Sequence, residues 1–406
     1  MTPQSYVVVG AGIVGLAVAR RLLEVHPGTE VTVLDKEPRV ATHQTGHNSG
    51  VVHAGVYYQP GSLKAQLCRR GAELLKELCA DRGLPCVECG KLIVARDHSE
   101  LARLRDLETR ARANGVPGIA WLERSAMLDV EPHVSGVAAL HSPHTAITDY
   151  VQVAEALADD VAKLGGAVHL SHEVVGLRRE VDQGGPVRVR TTGGEIVAQA
   201  VVICAGLQSD RVARLAGDEA SPAIVPFRGE YYRLVPGREH LVKGLIYPVP
   251  DPRYPFLGVH FTRRVTGGVD IGPNAVLALA REGYRRSDLR GRDVAELLRW
   301  PGFWRMARRH WLTGARELAT SLSKQAFIAA ARSYVPELSP RDVSPAPAGV
   351  RAQAVGADGT LVDDFAVHRI GSIVAVRNAP SPAATSSLAI AEHLVAHVLP
   401  GRNHRT

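Results

Sequence analysis

The sequence predicts an α/β protein with parallel-sheet segments at both ends of the chain and a β-rich α+β region between them. Residues 6–34 have the pattern of a strand, a glycine-rich turn, a helix and a second strand, which is the usual scale of a βαβ unit. Residues 222–280 consist of short β-rich runs broken by Pro and Gly, whereas residues 373–399 again combine a strand, a turn and a helix. We therefore expect two interleaved domains rather than two consecutive ones.

The composition is that of an ordinary globular protein. Its 406 residues, 45% of them hydrophobic, predict two or three domains with a sizeable core and exclude collagen, coiled-coil, disordered and disulfide-built classes. Five cysteines, an odd number in a long chain, favour a reducing, cytoplasmic location. The most apolar stretch, residues 6–19, is too short to span a membrane, so any membrane contact is expected to be peripheral.

The individual elements follow from hydrophobic periodicity. Amphipathic patterns predict helices over residues 16–25, 62–82, 99–114, 151–165, 281–333 and 383–399. Apolar runs predict strands at residues 6–9, 31–34, 167–170, 187–191, 200–204, 231–235, 258–262, 269–272 and 373–376. The proline-rich residues 336–349 predict a linker.

The glycine-rich turn matches a dinucleotide-binding fingerprint, Gly10-x-Gly12-x-x-Gly15. Gly10 makes the turn, Gly12 lets the backbone approach a pyrophosphate, and Gly15 allows the helix to pack closely on the strand. The helix N-terminus supplies free N–H groups, and Asp35 ends the next strand, where it can accept a hydrogen bond from a ribose hydroxyl. A Rossmann-like nucleotide site is therefore predicted, with a tight turn that binds no ligand as the alternative.

Two later features favour FAD over NAD as the cofactor. Residues 201–206 form a buried strand that ends in small residues, as flavoproteins use to return the chain beneath the cofactor. The C-terminal helix would place its positive end beside the flavin, where it stabilises the negative charge that develops on reduction. Ordinary α/β packing is the alternative for each feature taken alone.

Several segments resemble a known family. The fingerprint, residues 201–206 and the C-terminal helix resemble the FAD-dependent D-amino-acid oxidase/glycerol-3-phosphate dehydrogenase superfamily, and within it the L-2-hydroxyglutarate oxidase/dehydrogenase family. The matching segments extend over nearly the whole chain, at residues 43–58, 228–232, 247–263, 272–277, 349–353 and 378–387. Asp35 departs from the Glu that is usual in such flavoproteins, but a shorter carboxylate can still reach a ribose.

The resemblance implies FAD and the oxidation of L-2-hydroxyglutarate to 2-oxoglutarate, with a hydride passing from the substrate Cα to flavin N5. We expect the FAD to be non-covalent; covalent attachment through a His near residue 53, as in some relatives, is the alternative. We expect a discontinuous FAD-binding domain (1–82, 145–222 and 340–406) and a substrate domain (83–144 and 223–339). The residues expected to contact FAD are Gly10, Gly12, Ile13, Val14, Gly15, Asp35, Lys36, Asn48, Ser49, Gly50, Val174, Ala205, Gly206, Ala379, Pro380, Ser381, Pro382 and Ala383.

Two other functions stay open at this point. The same scaffold oxidises other small 2-hydroxy acids or amino acids, and the active-site Arg and His do not by themselves select the side chain. A non-catalytic dinucleotide-binding redox module is the second alternative. The pocket-type segments of the middle region argue against that module, because nucleotide binding alone does not need them.

A dicarboxylate with an alcohol needs cations for its carboxylates and a base near its hydroxyl. Arg351 lies in the context Gly-Val-Arg-Ala-Gln, and in similar enzymes such an Arg binds the substrate α-carboxylate, which a guanidinium can hold with two hydrogen bonds. His53 follows a small-residue segment expected to pass near the flavin and is the candidate general base. A surface Arg and a structural His are the respective alternatives.

Strand alternation separates two further candidates. His260 and Arg263 lie on one predicted strand, three residues apart, so a regular strand points them to opposite faces. Of the two, Arg263 is preferred as the partner of the distal carboxylate, and His260 is kept as a pocket residue. Tyrosines that could line the pocket, or serve only in packing, are Tyr57, Tyr58, Tyr231, Tyr232 and Tyr254.

No metal site is predicted. Cys86 and Cys89 form a single CxxC pair without a second pair, which does not support zinc. His43 and His47 could ligate a metal from one helix face, but their Gly- and Ser-rich surroundings favour a loop.

The positive charge of the chain is concentrated in one aromatic segment. The chain carries a net charge of +7, of which residues 281–316 contribute +6, together with Trp300, Phe303, Trp304 and Trp311. Arg and Trp on an amphipathic helix suit the surface of an anionic membrane, which would give access to a quinone acceptor. The alternative is a solvated helix whose tryptophans cap the substrate domain. Oxygen or another flavoprotein could equally accept the electrons, and no nucleic-acid-binding module is recognisable.

Overall fold

The computed structural model describes residues 4–180, 185–251 and 257–399. The helices of this part are α1 (Ile13–Val25), α2 (Leu63–Arg82), α3 (Leu101–Ala113), α4 (Arg124–Val130), α5 (Tyr150–Lys163), α6 (Ser209–Leu215), α7 (Gly291–Arg299), α8 (Pro301–Leu322), α9 (Lys324–Arg332) and α10 (Ala383–His393). A π turn, Leu394–Val398, continues α10.

The strands are distributed over the whole chain. They are β1 (Ser5–Val9), β2 (Glu30–Leu34), β3 (Val51–Val52), β4 (Cys86–Glu88), β5 (Lys91–Ala95), β6 (Ala120–Glu123), β7 (Ala138–Ser142), β8 (Ala146–Thr148), β9 (Ala167–His169), β10 (Val174–Arg179), β11 (Val187–Thr191), β12 (Gly194–Ala198), β13 (Ala200–Ile203), β14 (Ala223–Leu234), β15 (Leu245–Pro248), β16 (His260–Arg263), β17 (Val269–Gly272), β18 (Val276–Leu277), β19 (Val343–Val355), β20 (Ala366–Ile370) and β21 (Ile373–Asn378).

A six-stranded sheet of order β20-β21-β13-β1-β2-β9 gathers both ends of the chain. All its pairs are parallel except β20–β21. Side chains of β1 alternate between two cores: Tyr6 and Val8 pack with α1, α5 and α10, whereas Val7 and Val9 pack towards β10 and β11. Both faces of the sheet are therefore covered, which explains why its strands are continuous apolar runs.

A larger mixed sheet of order β18-β14-β17-β16-β15-β5-β7-β6, with β19 beside β14, forms the second main sheet of the fold. Alternation again divides the core: Leu92 and Val94 of β5 pack with α9, and Ile93 and Ala95 pack with α3. A small antiparallel sheet, β3-β8-β4, links the two large sheets, and His53 follows directly after β3. The chain thus passes several times between the two large sheets.

The predicted linker at residues 336–349 is wrong. A short 3₁₀ turn, Pro340–Asp342, leads into β19, which pairs with β14 from Val343 to Val355. Among the described strands β19 pairs only with β14, so its other edge needs no N–H donors and tolerates Pro345 and Pro347. Residues 343–355 accordingly lie in the large mixed sheet and not with the nucleotide-binding layers to which they were assigned.

The predicted helix over residues 281–333 is divided into three helices, and its first ten residues are not helical. The backbone N–H of Arg281 donates to Asp293, and its buried guanidinium pairs with Asp210, so tertiary contacts hold this stretch in turns instead of a helix. Pro301 starts α8 at its first position, and Ser323 caps α9. Among the described residues, no helix is both long and apolar enough to cross a membrane.

Candidate active site

A cavity of about 1140 Å³ lies where the carboxyl ends of β1, β2 and β13 meet the paired strands β14 and β19. Its walls also include twelve of the residues between 41 and 58, and the turn before α10. The sequence-predicted residues that line it are Gly10, Gly12, Ile13, Val14, Asp35, Lys36, Asn48, Ser49, His53, Tyr57, Tyr58, Val174, Ala205, Gly206, Tyr231, His260, Arg351, Ala379, Pro380, Ser381, Pro382 and Ala383. Segments far apart in the sequence therefore form one site.

The glycines of the fingerprint are required by close backbone approaches. Gly10 has a φ of +111°, and a Cβ there would lie 2.4 Å from the carbonyl oxygen of Cys204. A Cβ on Gly15 would lie 2.0 Å from the carbonyl oxygen of Gly10, so Gly15 permits α1 to pack against the turn rather than lining the cavity. Gly50, with a φ of +73°, also lies outside the lining and shapes the turn before β3.

Asp35 is held in place by backbone donors. Its Oδ2 accepts from the N–H of Ala11 at 2.6 Å, and its Oδ1 accepts from the N–H of Glu37 at 2.8 Å. The next residue, Lys36, donates to Glu37 at 2.6 Å and to Glu282 at 2.9 Å. This end of the cavity therefore presents a fixed carboxylate on a strand end, as a ribose hydroxyl requires.

His43 and His47 lie in turns, as the surrounding residues indicate. His43 Nε2 approaches Glu37 at 2.9 Å, and Glu37, His43 and Glu282 together could surround a metal ion. The ammonium of Lys36 already bonds to both carboxylates of this cluster. His47 instead stacks on Tyr284, with ring centroids 4.0 Å apart.

The opposite end of the cavity is built around His53. The N–H of His53 donates to Thr385 Oγ1 at 3.1 Å, and that hydroxyl lies in the first turn of α10. Burial, together with the charges of Lys91, His260 and Lys64, holds the pKa of His53 well below its ordinary value. Its Nδ1 is buried and has no hydrogen-bond partner among the described residues. A neutral imidazole of this kind is competent to accept a proton.

His260 lies beside His53 on the large sheet. Its Nδ1 is 2.9 Å from the carbonyl oxygen of Gly258, which makes Nδ1 the donor and leaves Nε2 as an acceptor. Burial lowers the pKa of His260 to about 3, assisted by Arg351 and Lys91 and opposed by the Gly258 hydrogen bond. Its ring stacks on Tyr247 with centroids 4.0 Å apart, so the imidazole is fixed in the wall.

Arg351 lies on β19 opposite Phe227 of β14 and lines the cavity. Its charge acts on Tyr231, Tyr247 and His260, which places the guanidinium at the same end as His53. Arg263, which the sequence suggested as the partner of the distal carboxylate, does not line the cavity. It is exposed and donates to the carbonyl oxygen of Lys243 at 3.0 Å, because strand alternation turns it away from the face that carries His260.

Three of the tyrosine candidates line the cavity, and a fourth points away from it. Tyr57, Tyr58 and Tyr231 line the cavity, and the buried hydroxyl of Tyr57 has no hydrogen-bond partner among the described residues. Tyr232 points to the other face of β14, where its ring packs on Phe327 at 4.9 Å. Tyr254 lies outside the described residues.

Sequence reasoning missed four residues of this end: Lys64, Tyr247, Lys91 and Thr385. Lys91 is buried behind the wall, with its Nζ 5.1 Å from the ring centroid of Tyr57 and 4.6 Å from that of Tyr247. Burial lowers the pKa of Lys91 to about 8. Tyr247 is the first residue of the proline-rich segment 247–263 that resembles the family. Strand alternation around His260 does not predict that Tyr247 lies at the site. Lys64 lies on a helix whose apolar pattern gave no signal for a site, and Thr385 lies within the resembling segment 378–387 but was not among the predicted site residues.

The residues present fit an FAD molecule. Gly10 and Gly15 leave no room for a Cβ, and the start of α1 and the start of α10 both face the cavity. Thr45 Oγ1 accepts from the N–H of Ile13 at 3.1 Å, so the anion-binding N-terminus of α1 is shaped by the segment that also carries His53. The glycine end and Asp35 would hold the pyrophosphate and a ribose of the dinucleotide, and its flavin would supply a hydride acceptor to the same cavity.

Comparison with known proteins agrees with this geometry. Residues 5–397 match the family described as DAO, FAD dependent oxidoreductase. The chain is 47% identical over 398 residues to the mitochondrial L-2-hydroxyglutarate dehydrogenase of Homo sapiens, covering 95% of this chain and 86% of the human protein. It is 45% identical over 385 residues to L-2-hydroxyglutarate dehydrogenase of Indibacter alkaliphilus, covering 95% and 96%.

A solved structure shows the same fold. It is that of dithionite-reduced L-α-glycerophosphate oxidase from Mycoplasma pneumoniae with FAD bound. The TM-score is 0.79 at 23% sequence identity, and the match covers 97% of this chain and 94% of the oxidase.

Proposed function

The chain belongs to the FAD-dependent oxidoreductases of the DAO family, and we propose that its cavity oxidises L-2-hydroxyglutarate to 2-oxoglutarate. The family and the FAD cofactor predicted from the sequence are confirmed, as is the α/β fold. The curated relatives of two very different organisms carry the same activity in their names.

The observation that carries the proposal is the meeting of Arg351, His53 and His260 at one end of the nucleotide cavity. Arg351 provides a guanidinium for the α-carboxylate of a 2-hydroxy acid. His53 and His260 provide buried imidazoles whose pKa values lie below the ordinary histidine value, so both are neutral near pH 7. This combination suits an alcohol that must lose a proton.

The residues of the chain divide the reaction between them. Arg351 binds and orients the α-carboxylate, which fixes the hydroxyl next to the imidazoles. The imidazole of His53 accepts the hydroxyl proton, while the backbone bond to Thr385 holds it in place. Tyr231 and the stacked pair Tyr247–His260 form the surrounding wall. When bound, FAD accepts the hydride that leaves the substrate Cα.

Anaerobic reduction of the bound flavin tests this function. L-2-Hydroxyglutarate should bleach the flavin band near ~450 nm, whereas D-2-hydroxyglutarate, glycerol 3-phosphate and D-amino acids should leave it unchanged. Bleaching by a D-amino acid or glycerol 3-phosphate, without bleaching by L-2-hydroxyglutarate, would instead assign another substrate on the same scaffold.

The electrons must leave to an acceptor, and one exposed surface supports a proposal for its location. Trp304 and Trp311 of α8 are 56% and 64% exposed, whereas Trp300 and Phe303 of the same segment pack with Leu297 and Val355. The helix also carries four Arg and one Glu. Aromatic and cationic side chains on one exposed helix suit an anionic bilayer, and we propose a peripheral membrane contact that would give access to a quinone.

Co-sedimentation with vesicles tests this contact. The protein should pellet with phosphatidylglycerol-containing vesicles at low salt and less with pure phosphatidylcholine or at high salt. The variant Trp304→Ser/Trp311→Ser should lose binding and keep its anaerobic flavin reduction. Equal sedimentation of the variant and the wild-type protein would remove α8 as the contact and favour oxygen or a soluble flavoprotein as acceptor.

A further inference from the structure

A dicarboxylate needs a second cation, and the sequence candidate for it, Arg263, lies outside the cavity. Several basic residues of the lining are already bound to carboxylates of the protein. Lys36 binds Glu37 and Glu282, and Arg377 binds Asp218. A cation for the substrate's distal carboxylate must instead lie close to His53, where the hydroxyl is placed.

Lys64 meets this requirement. It lies in the first turn of α2, which Ser62 caps, and it is 8% exposed. Its Nζ is 5.3 Å from the ring centroid of Tyr58, and both residues line the cavity. Its charge also contributes to the low pKa of His53. Lys64 is therefore a nearly buried cation at the reaction end of the site.

The partner of Lys64 is unusual for a buried cation. Lys64 Nζ donates to Asp363 Oδ1 at 3.0 Å and to the carbonyl oxygen of the same residue at 2.8 Å. The Asp363 side chain is 96% exposed, and it lies in the connection between β19 and β20 at the edge of the cavity. An exposed carboxylate gains little from an ion pair and can leave it at low cost.

From this arrangement we propose that Lys64 binds the distal carboxylate of the substrate, and that the Asp363 carboxylate occupies Lys64 until the substrate displaces it. The proposal rests on the function proposed above and adds the determinant of its selectivity for dicarboxylates. Arg351 and Lys64 would then hold the two carboxylates, with His53 between them at the hydroxyl.

Selectivity between two substrates tests the role of Lys64. L-2-Hydroxybutyrate has the same hydroxyl and α-carboxylate as L-2-hydroxyglutarate but lacks the second carboxylate. Lys64→Met should lower kcat/KM for L-2-hydroxyglutarate by ~10–100-fold, the effect of losing a charge-assisted hydrogen bond, and change that for L-2-hydroxybutyrate by less than ~3-fold. Lys64→Arg, which keeps the charge, should recover most of the loss.

The matched control is Lys76→Met. Lys76 lies on the same helix and also pairs with an acidic residue, Glu88, but it does not line the cavity. This variant should retain the wild-type selectivity. It separates loss of the distal-carboxylate contact from general loss of an α2 ion pair.

Asp363→Asn tests the displacement, because it should strengthen substrate binding where Lys64→Met weakens it. Removing the competing carboxylate should lower the KM for L-2-hydroxyglutarate by ~2–5-fold, the scale of an exposed ion pair, without changing kcat. Glutarate, which cannot be oxidised, should inhibit Asp363→Asn more strongly and Lys64→Met more weakly than the wild-type enzyme. Butyrate should inhibit all three alike.

The outcomes are distinct. Equal losses for both substrates in Lys64→Met, or no loss for either, would overturn the role of Lys64. A higher KM in Asp363→Asn would overturn the displacement. If the wild-type enzyme does not oxidise L-2-hydroxyglutarate, the proposed function fails, whereas unchanged selectivity in an enzyme that does oxidise it refutes this inference alone.

Discussion

The two ends of the cavity are built in different ways. At the nucleotide end the important groups are backbone atoms and paired charges: Gly10 and Gly15 allow close approaches, Asp35 accepts two N–H groups, and Lys36 bonds to two carboxylates. At the reaction end the groups are buried side chains. Two of them, His53 Nδ1 and the Tyr57 hydroxyl, have no hydrogen-bond partner within the described part of the chain.

This difference predicts how each end responds to mutation. The nucleotide end depends on space, so adding a single methyl group at a glycine should destroy it. The reaction end depends on chemical identity, so substitutions that preserve shape but remove a charge or a basic nitrogen should affect turnover while leaving FAD bound.

Gly15→Ala should abolish FAD binding and, with it, all activity. The added Cβ would meet the carbonyl oxygen of Gly10 at 2.0 Å, so α1 must move away from the turn. Absorbance of the purified protein measures the bound flavin, and circular dichroism checks folding. Gly314→Ala, in α8 where a Cβ has open space, is the control and should remain yellow. A Gly15→Ala protein with wild-type FAD content would refute a space-limited nucleotide end.

His53→Asn should lower kcat by ~10²–10⁴-fold with the FAD content unchanged, because the neutral imidazole is the proposed proton acceptor. Stopped-flow measurement of anaerobic flavin reduction isolates this step from reoxidation. His133→Asn, at a surface ion pair with Glu337, should reduce the flavin at the wild-type rate. Retention of fast reduction in His53→Asn would transfer the role of base to His260.

Arg351→Lys should raise the KM for L-2-hydroxyglutarate by ~10–100-fold, because an ammonium cannot form the two parallel hydrogen bonds of a guanidinium. Initial-rate kinetics with L-2-hydroxyglutarate measure this KM. Arg263→Lys is the informative comparison, because the sequence suggested it for the pocket and the structure places it outside. An altered KM in Arg263→Lys with an unchanged KM in Arg351→Lys would reverse this assignment.

Lys91→Met should shift the acid limb of the kcat/KM profile upwards. Burial and the charge of Lys91 lower the pKa of His53 from the ordinary 6.5, so activity should persist below pH 6.5 and fall only as His53 is protonated. Without the ammonium behind Tyr57 and Tyr247, protonation becomes easier and the limb moves towards 6.5. A limb at the same pH in both proteins would show that Lys91 serves packing alone.

Many features of the nucleotide end were predictable because they are local. The spacing Gly10-x-Gly12-x-x-Gly15, a strand before it and Asp35 after the next strand occur within thirty residues, where backbone geometry follows directly from residue type. The turn before α10 and the first residue of that helix behave similarly, because all five predicted residues there line the cavity. Periodicity likewise predicted α2 and α5 to within two residues at each end.

What the tertiary structure decided is which side chains meet. Strand alternation separated His260 from Arg263 in the sequence, but only the pairing of β16 within the large sheet showed which of the two faces the cavity. The prolines at 345 and 347 favoured a linker, yet an edge strand tolerates them because one side makes no ladder bonds. Lys64, Lys91 and Tyr247 gave no local signal, since their roles arise from burial beside residues far away in the chain.

The sequence by itself therefore predicted the nucleotide-binding turn and the α/β fold class, because a fingerprint and its flanking elements depend on local conformation, and its resemblance to a known family indicated the family and FAD. The tertiary structure decided which further residues join the reaction end, and that Arg263 does not. A buried charge or imidazole acquires its pKa and its partners from the side chains packed around it, and these come from α2, β5, β16, β19 and α10 together.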